Sequence, residues 1–308
     1  MLDKFWESLG GELAGEWLRR AFSPPFLFYL SGLGFYTLRH GWQPLWNWLR
    51  GLQLLEQVAL LLGVLLGLIL SALLTAQWRS TVLRWLEGYW FWPLRWLEKP
   101  CIAWQARRLR QAEIRLNALF EASSPGVARQ RAELELFVHY FPGDPAELRP
   151  TRLGNILRAG ETAAAQKYGL EAYACWPRLW QLLPAHLRED LTAVRSRLLT
   201  LAELWGMGLL SLVWTVWSGW ALPFALLWMG VSYWRMLPVA MVYADLIESA
   251  FDLYRLRLYE AVGWQCPPDS QREPAYGAAL SEFLWRGTLA EKGSYSPDRA
   301  AQEEGEAT

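Results

Sequence analysis

The sequence predicts an all-α, polytopic helical membrane protein, with about four transmembrane helices and a helical cytoplasmic domain between two hairpins. Three observations predict it. Residues 58–76 run for nineteen positions without a charge, about the length a helix needs to cross the hydrocarbon core of a bilayer. Residues 204–234 carry no charge over thirty-one positions, too long for one straight crossing, and Ser218, Gly219 and Pro223 divide them, so they read as a helical hairpin. Tryptophan is abundant, at 21 of 308 residues. Its ring is apolar while its N–H needs a partner, which favours the headgroup layer, and Trp42, Trp46, Trp48, Trp78 and Trp85 are expected there.

Along the chain, residues 1–21 place Leu2, Phe5, Trp6, Leu9, Leu13 and Trp17 at mostly helical spacing with acidic residues between them, an amphipathic N-terminal helix. They lack the basic start and short apolar core of a cleaved signal peptide. Residues 22–76 form the first hairpin. Its first span, FSPPFLFYLSGLGFYTL, has seventeen uncharged residues, the lower limit for a crossing, and Pro24 and Pro25 suit a helix's first turn. Gly32 and Gly34 leave a re-entrant segment as the alternative. Residues 39–56 are a Trp-rich connector at the headgroups. Residues 77–203 are a charged domain of four or five helices, with breaks at Ser123 to Gly126 and Pro142 to Pro145. Its last helix runs without a breaker into the second hairpin, residues 204–244. An amphipathic cytoplasmic helix (245–266) and a polar acidic tail (267–308) follow, disordered from residue 292.

Overall charge is zero, yet residues 77–200 hold 18 Lys/Arg against 12 Asp/Glu, and residues 245–308 hold 6 against 12. Basic residues set orientation. Arg19, Arg20, Arg79, Arg84, Arg195, Arg197, Arg255 and Arg257 flank the four spans on one side, which makes the domain and both termini cytoplasmic.

Within the second span, Ala59, Gly63, Gly67, Ser71 and Thr75 recur every fourth residue as a stripe of small side chains, suited to close packing against a helix of the same chain or of another copy. Arg235 is a charge inside the fourth span. It either snorkels to the headgroups or serves a gating or ligand role.

Classical catalytic signals are missing. Single histidines without metal-ligand spacing, three scattered cysteines, and no G-x-S-x-G, Walker or G-x-G-x-x-G pattern leave no cofactor and no metal to expect. Glu161, Glu171 and His186 are weak candidates for a lipid-headgroup enzyme. Arg107, Arg108, Arg110 and Arg115 sit beside Trp104, but acidic neighbours dilute them, and attraction to anionic lipid accounts for them better than nucleic acid does.

The most unusual segment is residues 142–184. Thr151 is a helix N-cap after Pro150, and Arg152, Asn155, Arg158 and Glu161 follow at three-residue spacing near one face. With Arg178 they form either a polar pocket for an anion or lipid headgroup, or a network that locks the turns. The run RPTRLGNILRAGE, with KYGLEA and WPRLWQLLP, resembles a group of uncharacterised bacterial integral membrane proteins that share P-T-R-L-G-N, a Tyr-Gly step and a P-R-L element. The resemblance covers about forty residues. It implies a prokaryotic inner-membrane protein and brings no activity, cofactor or catalytic residue. The function expected from the whole is a non-enzymatic, membrane-anchored interaction or signalling module that binds a cytosolic protein or anionic lipid; the rival is an oligomeric channel or small transporter.

Overall fold

The computed structural model of the chain describes residues 24–120 and 125–287. The expected N-terminal amphipathic helix (1–21) and the end of the acidic tail (292–308) lie outside the described residues. In chain order the helices are α1 (Pro24–His40), α2 (Gln43–Gly51), α3 (Leu54–Glu87), α4 (Glu98–Phe120), α5 (Pro125–His139), α6 (Arg152–Tyr168), α7 (Ala172–Leu182), α8 (Ala185–Leu210), α9 (Ala221–Val262) and α10 (Glu273–Arg286). No strand occurs among the described residues. Three stretches are long and apolar enough to cross a membrane: Leu54–Leu119, Ala185–Val216 and Ala221–Val262. Lipid offers no partner for backbone polar groups, so self-bonded helices of this length and composition support a membrane protein.

Two compact units divide the chain, Met1–Trp85 with Arg197–Met236, and Leu86–Ser196 with Leu237–Thr308. In the first unit, α3 is nearly bare: only 6% of its apolar window is buried. The hairpin of α8 and α9 packs closely at Gly208, where an added Cβ would lie 2.9 Å from the Met229 side chain. Low helix propensity at Gly206 and Gly208 ends α8 sooner than the apolar pattern predicts, and a 3-10 turn, Ser211–Val216, completes the stretch. The Ser211 hydroxyl donates to the Gly208 carbonyl at 2.6 Å, a local bond that competes with the helix ladder. At the hairpin tip, Trp214 and Trp217 stack with ring centroids 4.8 Å apart.

Helix α1 lies along this hairpin. Gly32 lets the Trp214 ring approach to 2.6 Å from where a Cβ would stand, and Phe35 meets Phe224 edge to face. Arg39, in the last turn of α1, donates to the Val216 and Trp217 carbonyls at 2.9 and 3.2 Å. A cation thereby satisfies acceptors at the tip. The expected headgroup connector contains a short helix, α2, and α3 then starts at Leu54, three residues earlier than expected.

In the second unit, α4 packs on α5, while α6, α7 and α10 pack on one another. Leu170, Leu179, Leu191, Phe251, Leu258 and Leu280 fill the core with almost no exposed surface. Helix α8 is unbroken through residues 200–206, as the missing breaker predicts. Trp176, Pro177 and Arg178 lie inside α7. Proline at this position forfeits one ladder bond, and burial of Ala174, Cys175 and Leu179 on the same short helix offsets the loss.

Two glycines fix where α6 meets α10. Gly169 ends α6 with φ of 70°, and a Cβ there would sit 1.9 Å from the Pro274 carbonyl oxygen. A Cβ on Gly277 would sit 1.9 Å from the Tyr168 carbonyl oxygen. These are backbone contacts, which do not yield as a flexible side chain does. Gly277→Ala is expected to cost about 2 kcal/mol and to lower the melting temperature of the detergent-solubilised protein by roughly 5 °C or more. Gly34→Ala, where a Cβ meets nothing within 4 Å, is the control and leaves the melting temperature unchanged within about 1 °C.

Candidate functional site

Every residue of the P-T-R-L-G-N run has a physical task in the second unit. Pro150 packs where a Cβ on Gly88 would stand, 2.5 Å away, and Gly88 tolerates this with φ of 104°. Thr151 caps α6: its hydroxyl accepts from the Gly154 N–H at 2.9 Å and donates to the Leu86 carbonyl at 2.6 Å. Arg152 donates to the Phe137 and Tyr140 carbonyls at 3.2 Å, with its guanidinium 4.4 Å from the ring centres of Phe137 and Phe141. Leu153 is fully buried. Gly154 admits the Glu87 carbonyl oxygen to 1.9 Å from a Cβ position, an approach open only to glycine. Asn155, also fully buried, accepts from the Arg149 N–H at 2.7 Å and donates to the Arg149 carbonyl at 3.0 Å.

The result is a clasp. It joins the last residues of α3, the end of α5 and the 140–151 loop to the first turn of α6. Arg158 extends it, bonding Glu147 at 2.6 Å and Glu161 at 3.1 Å. Arg178 is apart from these three; it donates to the Ala174 carbonyl at 2.9 Å and to the Leu284 carbonyl on α10 at 3.4 Å. All four polar residues singled out in the sequence hydrogen-bond within the unit.

Beside the clasp lies a polar recess of about 130 Å³. His139, Tyr140, Gln166, Lys167 and Glu248 line it, above the point where Gly160 of α6 touches Ala244 of α9 backbone to backbone. Helix α9 supplies three carboxylates at helical spacing, Asp245, Glu248 and Asp252. Tyr140 donates to Asp245 at 2.9 Å, and Tyr168 donates to Asp252 at 2.7 Å. Lys167 reaches Glu248 at 2.5 Å and Asp252 at 3.3 Å, and the His139 Nε2 stands 3.6 Å from Glu248.

Burial, reinforced by the Asp245 carboxylate, pushes the Tyr140 phenol up to about 12, so it remains a neutral donor. Burial works to lower the Lys167 pKa, but the bonds and charges of Glu248 and Asp252 outweigh it and raise the ammonium above its usual value. The recess therefore presents fixed charges, with carboxylates in excess. Nothing in the local sequence marks it, because His139, Lys167 and Glu248 come from three helices far apart in the chain.

The other sequence candidates are dispersed. Glu161 pairs with Arg158, Glu171 precedes α7 and its backbone N–H donates to the Ser281 hydroxyl, and His186 is exposed in the first turn of α8. Arg235 is exposed and borders a cavity of about 730 Å³ with Leu30, Ser31, Trp228 and Ser232 in the first unit. Of the small-residue stripe, Ala59, Gly63 and Gly67 are exposed and a Cβ on either glycine meets nothing within 4 Å. Ser71 bonds back to its own helix, and Thr75 alone reaches another, at Glu203.

An all-helical protein with three helices fit to span a bilayer, a clasp and a small charged recess is the class these features define. The chain matches no protein-family model, no curated protein and no solved structure.

Removing the clasp's buried bonds gives a direct stability test. Asn155→Ala leaves the Arg149 backbone groups without their partners and is expected to cost about 2–3 kcal/mol, lowering the melting temperature by roughly 5–10 °C. Arg178→Ala, at the edge of the unit, changes it by less than about 2 °C.

Proposed function

We propose that the chain is a membrane-anchored interaction module of a bacterial inner membrane, with four crossings formed by α1, α3, α8 and α9 and with the second unit in the cytoplasm. The size of the recess carries this reading. At about 130 Å³ it falls below the roughly 300–1,000 Å³ of small-molecule sites and suits one side chain of a protein partner. Excess carboxylate on α9 favours a basic side chain there. The fourth crossing draws support from α1, whose seventeen residues reach about 25 Å and whose two ends face Leu201 and Arg235 at one level and Val216 at the other. The exposed arginines of α4, Arg107, Arg108, Arg110 and Arg115, add attraction to an anionic lipid surface.

A photoreactive amino acid at Gln166 tests the recess in living cells. The expected result is one discrete protein adduct, lost when Glu248→Lys reverses the recess charge; an adduct indifferent to that change contradicts the reading. Sidedness is testable through the cysteines, all in the second unit, of which Cys266 is exposed and Cys175 buried. A membrane-impermeant maleimide is expected to label Cys266 only after lysis. Labelling in intact cells places the unit outside.

A second reading, self-association along α3, has its own support in the open stripe at Gly63 and Gly67 and the bare surface of that helix. Such an oligomer is the form in which a channel with Arg235 facing a pore would arise. Replacing both glycines by leucine is expected to convert cross-linkable dimers into monomers. A wild-type chain that is monomeric in nanodiscs removes this reading and the channel with it.

A further inference from the structure

Between α3 and α8 the first unit encloses a cavity of about 430 Å³ whose walls are almost wholly apolar. Trp78, Val82 and Trp85 line it from α3, and Met207 and Leu210 from α8. Two charges break this surface. Arg79 and Glu203 both border the cavity, each half-buried, yet among the described residues no salt bridge joins them. The only hydrogen bond of the Glu203 side chain among the described residues is the one its Oε1 accepts from the Thr75 hydroxyl at 2.7 Å, which holds the carboxylate in place. Arg79 makes no hydrogen bond or ion pair among the described residues.

The depth of the cavity follows from composition. The uncharged run of α3 ends at Trp78, one residue before Arg79, and that of the hairpin begins at Leu204, one residue past Glu203. Both helices therefore leave the hydrocarbon at the level of the cavity. Tryptophan and arginine at this level are typical of the headgroup layer. A separated cation and anion above apolar walls at the headgroup boundary match an amphiphile that carries both charges.

We propose, on the reading of the chain as a membrane protein, that this cavity holds one phospholipid with a zwitterionic headgroup bearing a primary ammonium. Its phosphate sits on the Arg79 guanidinium, its ammonium donates to the Glu203 carboxylate, and its glycerol and upper acyl chain lie between Trp78, Val82 and Met207. A trimethylammonium headgroup has no N–H to give Glu203. An anionic headgroup meets repulsion from the same carboxylate, and an uncharged diacylglycerol leaves Arg79 without a partner. Two polar groups thus select headgroup chemistry, while the apolar walls supply the affinity.

Native mass spectrometry of the full chain ejected from nanodiscs tests this, with equal parts phosphatidylethanolamine, phosphatidylcholine and phosphatidylglycerol as the probe. Wild-type protein is expected to retain one phosphatidylethanolamine about fivefold more often than either competitor. Glu203→Gln keeps an acceptor for Thr75 and is expected to abolish the preference for phosphatidylethanolamine over phosphatidylcholine. Arg79→Gln is expected to lower retention of all three lipids. As a check that needs no variant, wild-type chain should melt at a higher temperature in phosphatidylethanolamine than in phosphatidylcholine nanodiscs. Retention without headgroup preference, or a preference unchanged by Glu203→Gln, overturns the proposal and leaves the membrane reading intact. A chain that does not enter nanodiscs overturns both.

Discussion

An α-helix bonds its own backbone along its length but not at its end, where the last four carbonyls need outside partners. The C-terminus of α3 meets this constraint with the first turn of α6. Thr151 donates to the Leu86 carbonyl, Gly154 leaves room for that of Glu87, and Pro150 closes over Gly88. The same turn holds α5 through Arg152 and the 140–151 loop through Asn155. One helix start thus secures three neighbouring segments. Any side chain at Gly154 or any loss of the amide at Asn155 disturbs all of them together.

The recess depends on that frame. His139 and Tyr140 stand at the end of α5, which Arg152 fixes, and Lys167 stands at the far end of α6, the helix the clasp begins. Opposite them α9 presents its carboxylates, and the close approach of Gly160 to Ala244 sets the depth between the helices. His139, Lys167 and Asp252 keep more than a third of their side-chain surface exposed, and ion pairs at such positions contribute little to stability. Large apolar side chains fill the core nearby without help from charge.

Much of the architecture was legible because its signals are local. Uncharged runs marked three long spans, and Pro150-Thr151 marked a helix start. The identity of the clasp's partners was not legible, since nothing near Gly154 reveals that a carbonyl from residue 87 will lie against it. Distance hid the recess and the Thr75–Glu203 bond for the same reason. The stripe on α3 illustrates the opposite limit: its spacing was plain, while the absence of a neighbour at Gly63 and Gly67 required the fold.

Hydrogen exchange measures the clasp most directly, with the full chain in nanodiscs and mass spectrometry resolving the segments at residues 84–90 and 149–157. If Thr151 and Gly154 bind the end of α3 as described, both segments exchange slowly and at a common rate, and Gly154→Ala accelerates both by the same factor. Should the variant loosen residues 149–157 while residues 84–90 keep their wild-type rate, the clasp does not hold the helix end and the account fails.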